Sequence, residues 1–271
     1  MFFPQRSATQ AFSLVELSIV LVILGLLTGG ILAGQSLIRA AELRAVTTEY
    51  ARYVTAVQSF RDKYFAIPGD MPNASQFWTS IPGTVGCTTS TTCGNGDGGG
   101  TITPPAFVAS SYSENLQVWN ELALSGLIEG SYPGTTGPTN GGNGAMDTIP
   151  GTNSPKSKLS NAGWGVWWGP PGYPGQPNIY AGNFGNSLVF GGVYGGFAPI
   201  GSRLKPEEAW NIDTKLDDGV PNKGKVYAGN PGTCTLVSPG GAASAGTSTT
   251  PEVYSLQSST VGCALFFPGA F

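Results

Sequence analysis

The sequence predicts an α+β protein in which one long N-terminal helix, membrane-spanning and then amphipathic, packs on a loop-rich antiparallel β head. Three observations carry this expectation. Residues 12–33 are an apolar run with a single ionisable group, Glu16. Residues 43–64 then repeat apolar side chains at alternating spacings of three and four. Beyond residue 66 the composition changes: most of the 41 Gly and 21 Pro lie there, together with all six Trp.

The apolar run sets the first element. Its 22 residues, at ~1.5 Å each, make a helix about 33 Å long, enough for a hydrocarbon core of ~30 Å. A carboxylate within such a run costs a few kcal/mol, so Glu16 implies a partner and a purpose. A secretory signal places its small-residue cleavage site after the apolar core, where Ala33-Gly34-Gln35 stands here. The 11-residue lead-in and the charge at Glu16 argue against that reading. Gly25, Gly29, Gly30 and Gly34 punctuate the helix, each lowering helicity by up to ~1 kcal/mol relative to Ala, and suit close helix packing in a membrane.

The stem follows without a stop signal. Leu43, Val46, Tyr50, Tyr53, Val57, Phe60 and Tyr64 form a heptad-like seam, while Arg39, Glu42, Arg44, Glu49, Arg52, Arg61, Asp62 and Lys63 fill the other faces. A two-stranded coiled coil is one partner for such a seam. Its aromatic content favours the protein's own head. Ile67-Pro68-Gly69-Asp70 ends the helix, because Pro68 biases Ile67 away from helical dihedrals and Gly69 frees the turn. Four regions result: a lead-in at 1–11, a membrane helix at 12–33, an amphipathic stem at 34–66 and a head at 67–271.

The head has the Gly-, Pro-, Thr- and Ser-rich character of a secreted β domain, and about 200 residues suffice for one core. Strand-like runs are Asn178–Tyr180, Ser187–Phe190, Lys225–Tyr227 and Val261–Phe267. One helix starts near Ser113, with Leu116, Trp119, Leu122 and Ala123 on one face, and ends near Gly126. A second starts at Pro206, where Glu207 and Glu208 favour the positive end of its dipole. Gly137–Pro155 and Gly240–Pro251 read as mobile surface loops.

Catalysis finds little support. The chain has no His, the usual general base, and shows no nucleophile elbow, P-loop or dinucleotide fingerprint. Asp97, Glu114, Glu121 and Glu129 can supply a carboxylate pair only by tertiary assembly, and Glu114 and Glu121 read as exposed helix residues. Asn95-Gly96-Asp97-Gly98 echoes the centre of an EF-hand loop, but Cys93 holds the first ligand position and Pro104 the twelfth, so a flexible turn is expected. Ten of the chain's 29 charged residues lie between Arg203 and Lys225. There Asp213, Asp217 and Asp218 surround a turn, and such oxygens suit Ca²⁺, which takes six to eight of them. The competing reading pairs them with Lys215, Lys223 and Lys225. The head holds seven basic and twelve acidic residues, a net of −5, so no specific nucleic-acid binding is expected.

The residues around the apolar run resemble the prepilin signature shared by type IV pilins and type II secretion pseudopilins. A short leader, Met1–Ala11 with Arg6, precedes Phe12-Ser13-Leu14-Val15-Glu16-Leu17 and an unbroken apolar helix. The match is strong from Gln10 to about Tyr64. Ala11 stands where the family usually has Gly, and the family's frequent mid-helix Pro is missing. The resemblance implies a pilin-like fold, cleavage between Ala11 and Phe12 by a prepilin peptidase, and N-methylation of Phe12. Cleavage creates an α-amino group with which Glu16 of a neighbouring subunit can pair in a medium that penalises unpaired charge. Glu16 is thus an assembly residue, and the helix glycines become sites of local melting on entry into a filament.

The resemblance further implies an inner-membrane protein whose head lies outside the cytoplasm, with copies of itself or other pilins as partners in a cell-surface filament or periplasmic pseudopilus. Four cysteines allow three pairings. In an oxidising compartment Cys87–Cys93 and Cys234–Cys263 are the preferred bridges, the second closing a C-terminal loop as in many pilins. Zinc is disfavoured by the spacing and by the lack of His. Major pseudopilins similarly hold calcium in a C-terminal head loop, which directs attention to Asp213, Asp217 and Asp218; no other cofactor is expected. The function expected is a non-enzymatic structural subunit of a type IV pilus-like filament. The alternatives are a type II secretion pseudopilin, or a tethered adhesive or carbohydrate-binding head using aromatics of the run Trp164–Tyr173.

Overall fold

The computed structural model describes residues 13–78, 94–102, 113–134, 148–167, 185–195, 198–229, 231–236 and 252–271. The chain divides into two compact units between Ala41 and Glu42. Helix α1, Leu14–Tyr64, runs unbroken through 51 residues across that division.

In the first unit every residue from Ser13 to Ala33 is exposed. The most apolar stretch of α1 has a mean hydropathy of 2.4 and none of it is buried. A helix of this length and composition is compatible with a membrane anchor. A Cβ built at Gly25, Gly29, Gly30 or Gly34 meets nothing within 4 Å, so packing within the chain does not require glycine at these positions.

In the second unit the seam is covered by the protein's own head, as its aromatic content suggested. Val46, Tyr53, Val57 and Phe60 are buried, and Leu43, Tyr50 and Tyr64 pack at the margin of the same core. Tyr50 stacks on Phe267 with ring centroids 4.5 Å apart. Tyr53 meets Trp119 at 5.2 Å and Trp164 at 5.5 Å, both edge-on. Glu49 departs from expectation: it is buried rather than on a solvated face, because the head supplies it with two donors. The helix ends at Tyr64, and Phe65 adopts a left-handed φ of 55° ahead of Pro68.

The head is built on a five-stranded antiparallel sheet in the order β1-β2-β5-β4-β3. Its strands are β1, Gly163–Trp167; β2, Ser187–Gly191; β3, Asn222–Lys223; β4, Val226–Gly229; and β5, Ala264–Phe267. β5 lies in the centre, with Val189 opposite Phe266 on one side and Ala228 opposite Leu265 on the other. All residues of β1, β2 and β5 are buried. β1 overlaps the start of the aromatic run Trp164–Tyr173: Trp164 and Trp167 are core residues, while residues 168–173 lie outside the described part. Asn178–Tyr180 also lies outside it.

Four helices complete the described elements: α2, Ala74–Phe77; α3, Glu114–Leu124; α4, Pro206–Leu216; and α5, Pro231–Cys234. α3 follows Ser113 as its N-cap, and α4 opens on Pro206 with Glu208 accepting from the Lys205 N–H at 2.9 Å, both as the sequence predicts. α3 is buried at every position from Glu114 to Leu122, so its polar side chains are interior groups. The expected loop Gly137–Pro155 needs correction at its end: Thr148 and Asn153–Pro155 are buried, and the Ile149 N–H is held by Asn153 Oδ1 at 2.7 Å. Its earlier part, and Gly240–Pro251, lie outside the described residues.

Candidate functional site

The first predicted site residue, Glu16, lies at the start of α1. Its Oε2 accepts from the Ser13 N–H at 2.9 Å, and Ser13 Oγ accepts from the Val15 N–H at 3.3 Å. This reciprocal arrangement resembles a capping box and satisfies donors that a helix start leaves unpaired. Within a single chain, Glu16 therefore caps its own helix while remaining exposed. Ala11 and Phe12 lie outside the described residues, as do Cys87 and Cys93.

Cys234 and Cys263 form a disulfide with Cα atoms 4.9 Å apart, joining α5 to the residue before β5. Both cysteines are buried. The Cys263 carbonyl accepts from the N–H groups of Arg203 and Leu204, and the Cys234 carbonyl from that of Ser255. The bridge thus ties the residue before the central strand to α5, while the Cys263 carbonyl ties it to the segment entering α4.

Asp213, Asp217 and Asp218 each present a carboxylate oxygen within 4.8 Å of the others. Asp213 is fully buried on α4. Its Oδ2 accepts from the Tyr254 hydroxyl at 2.8 Å and its Oδ1 from the Gly219 N–H at 3.2 Å. Burial pushes its pKa up to about 6, against the lowering effect of those two donors; Asp218 and Asp217 add to the rise. Asp217 accepts from the backbone N–H of Lys225, and Asp218 from that of Val220 at 2.8 Å. The turn is therefore held by the backbone N–H groups of Gly219, Val220 and Lys225 and by the Tyr254 hydroxyl.

A second carboxylate group is assembled by the fold from distant segments. Asp70, Asp97 and Glu114 also bring oxygens within 4.8 Å of one another. Asp70 is buried and organises the glycine loop: Oδ1 accepts from Gly98 at 2.7 Å and Gly99 at 3.2 Å, and Oδ2 from Gly100 at 2.7 Å. The loop lies so close that a Cβ at Gly96 would stand 2.3 Å from the Asp70 backbone. Asp97, exposed, donates its N–H to Glu114 Oε1 at 3.2 Å. Burial raises the Asp70 carboxyl above the usual range; the Gly100 and Gly98 N–H groups oppose this, while a side-chain hydrogen bond with Asp97 and the charge of Glu114 add to it.

Glu121 belongs to the same region. It lies seven residues after Glu114, close to two full turns and so on the same helix face. It is fully buried, its Oε2 accepts from the Gly69 N–H at 2.7 Å, and its Oε1 has no hydrogen-bond partner among the described residues. Burial drives its carboxyl well above the usual range, offset in part by the Gly69 donor and reinforced by Asp70 and Glu114. Gly69 has φ +86°, and a Cβ there would meet the Glu114 carbonyl oxygen at 2.5 Å. Only glycine lets this turn approach α3.

The expected exposure of Glu114 and Glu121 is thus overturned: both are interior, because the Gly69 turn and the 94–102 loop cover α3. Asp97, read as part of a flexible turn, is instead hydrogen-bonded into this group. Asp70 was legible only as part of a helix stop. The signals that point to the group are an acidic pair seven apart on a helix with apolar flanks and a glycine-dense loop containing one Asp.

Comparison of the chain with protein-family models, with curated proteins and with solved structures finds no match.

Proposed function

We propose that the chain is a pilin-like structural subunit, held by its N-terminal helix in the inner membrane with its head outside the cytoplasm and polymerised into a filament through that helix. The observation that carries this reading is the character of α1. Its first twenty residues expose a predominantly apolar surface whose one charge is Glu16, while one face of its second half is covered by its own head. Surface of the first kind is stable only against lipid or other helices.

On this reading a prepilin peptidase removes residues 1–11, and the new Phe12 amine of one subunit meets Glu16 of the next. Glu16 then exchanges its contact with the Ser13 amide for a charge-assisted one, setting axial register, while the apolar helices supply adhesion. A pilus subunit is favoured over a secretion pseudopilin, and both over a tethered adhesin. Burial of Trp164 and Trp167 removes two aromatics of the run that supported the adhesin reading.

The test is intact mass and N-terminal peptide analysis of filaments sheared from cells producing the protein. The expected result is abundant chain beginning at N-methylated Phe12. Unprocessed protein beginning at Met1, confined to membranes, would overturn the reading.

A further inference from the structure

We propose that Asp70, Asp97, Glu114 and Glu121 form a calcium-binding site in the head, separate from the Asp213 turn and independent of whether the chain polymerises. Two observations support it. Oxygens of Asp70, Asp97 and Glu114 lie within 4.8 Å of one another. Ligands about 2.3–2.6 Å from one Ca²⁺ are separated by at most about 5 Å, so these three can touch a common ion.

The second observation is Glu121. It is fully buried, and its Oε1 has no partner among the described residues. Its other oxygen is held by the amide of Gly69, the residue before Asp70. That bond, and its position on the Glu114 face of α3, place the carboxyl beside the acidic group, next to the three residues whose oxygens lie within 4.8 Å of one another. An unpaired buried oxygen among carboxylates is costly in two ways, through lost hydration and through repulsion. A cation removes both costs.

The donors are all hard oxygens, and water from the exposed Asp97 side can complete six to eight ligands; this is the chemistry of calcium rather than of a softer metal. An open pocket of about 620 Å³, lined by Arg61, Asp62, Phe65, Ile67, Gly98 and Gly100, borders the site at Asp70. The Asp213 turn differs in one respect: among the described residues no orphaned buried oxygen marks it.

The experiment is calorimetric titration of calcium chloride into the full chain in detergent after EDTA treatment and dialysis, with thermal unfolding followed in parallel. The expected result is one strong equivalent and a rise in Tm. Asp97→Asn, at an exposed position, should weaken binding at least about tenfold, the scale on which even supporting residues act. Asp217→Asn should leave it unchanged. Absence of both heat and Tm shift in the unsubstituted chain would overturn the site and leave its charges neutralised by protons. Binding that survives Asp97→Asn but is lost in Asp217→Asn would also overturn it and move calcium to the α4 turn.

Discussion

The carboxylate of Glu49, on the helix, accepts from the indole Nε1–H of Trp164, on the edge strand, at 2.8 Å. Its second oxygen accepts from the Lys158 N–H at 2.9 Å. Helix and sheet are therefore joined by a polar pin set within an aromatic core where Trp164 also meets Tyr53, Phe190 and Phe267. Hydrophobic contact alone is non-directional; this pair fixes which turn of α1 faces β1.

Replacing Glu49 with Ala should destabilise the protein strongly, because it strands the buried Trp164 donor and the Lys158 amide. Losing one side of such bonds costs roughly 2–4 kcal/mol in all. Glu49→Gln, which keeps one acceptor, should cost less. Denaturant unfolding monitored by tryptophan fluorescence checks the order; equal stability of all three proteins would refute the pin.

Reducing the Cys234–Cys263 bridge, or replacing both residues with Ala, should lower stability by about 3–4 kcal/mol, the chain-entropy value for a loop of this length. The two residues are 29 apart in sequence. Thermal unfolding with and without reductant is the measurement. A reductant effect that persists in the double Ala variant would place the sensitivity elsewhere.

Asp213 predicts a specific pH dependence in calcium-free buffer. Its pKa rises from 3.8 to about 6 on folding, so the folded chain holds a proton that the unfolded chain has released. Stability from this group is fully present below pH 3.8 and is lost as pH rises through 6. At about 1.4 kcal/mol per pH unit the whole effect is on the order of 3 kcal/mol. Asp213→Asn should flatten that slope in denaturation curves taken between pH 4 and 7 with EDTA, whereas an unchanged slope would assign it to other groups.

Under the proposed assembly, Glu16→Ala should leave membrane insertion intact and reduce filament yield sharply, since the register-setting charge is gone while the apolar surface remains. The capping contact to Ser13 adds only about 1 kcal/mol of local helix stability, too little to abolish insertion. Membrane fractionation and quantification of sheared filaments separate the two effects. Filaments rich in the Ala variant would exclude a role for Glu16 in assembly.

Periodicity made much of the architecture legible. The seam from Leu43 to Tyr64, the start of α4 at Pro206, the N-cap at Ser113 and the strand at Ser187 each follow from local spacing or capping chemistry, and each stands in the structure. Cys234–Cys263 also formed as preferred. What local chemistry misplaced were charges: Glu49, Glu114 and Glu121 sit at positions that look solvated, yet all three are buried. Trp164 and Trp167 likewise could line a surface or a core on composition alone, and the sheet decided for the core.

The sequence by itself determined the long apolar helix with its one carboxylate, the amphipathic stem that follows and a glycine-rich head, because these depend on residue type and on repeats of a few residues. The tertiary structure alone decided which polar groups would meet. Glu49 reaches a strand more than a hundred residues away, and Asp70 gathers a loop nearly thirty residues on while Glu121 reaches back to Gly69. Such contacts are set by where the chain returns, and their energies arise only when burial removes the competing water.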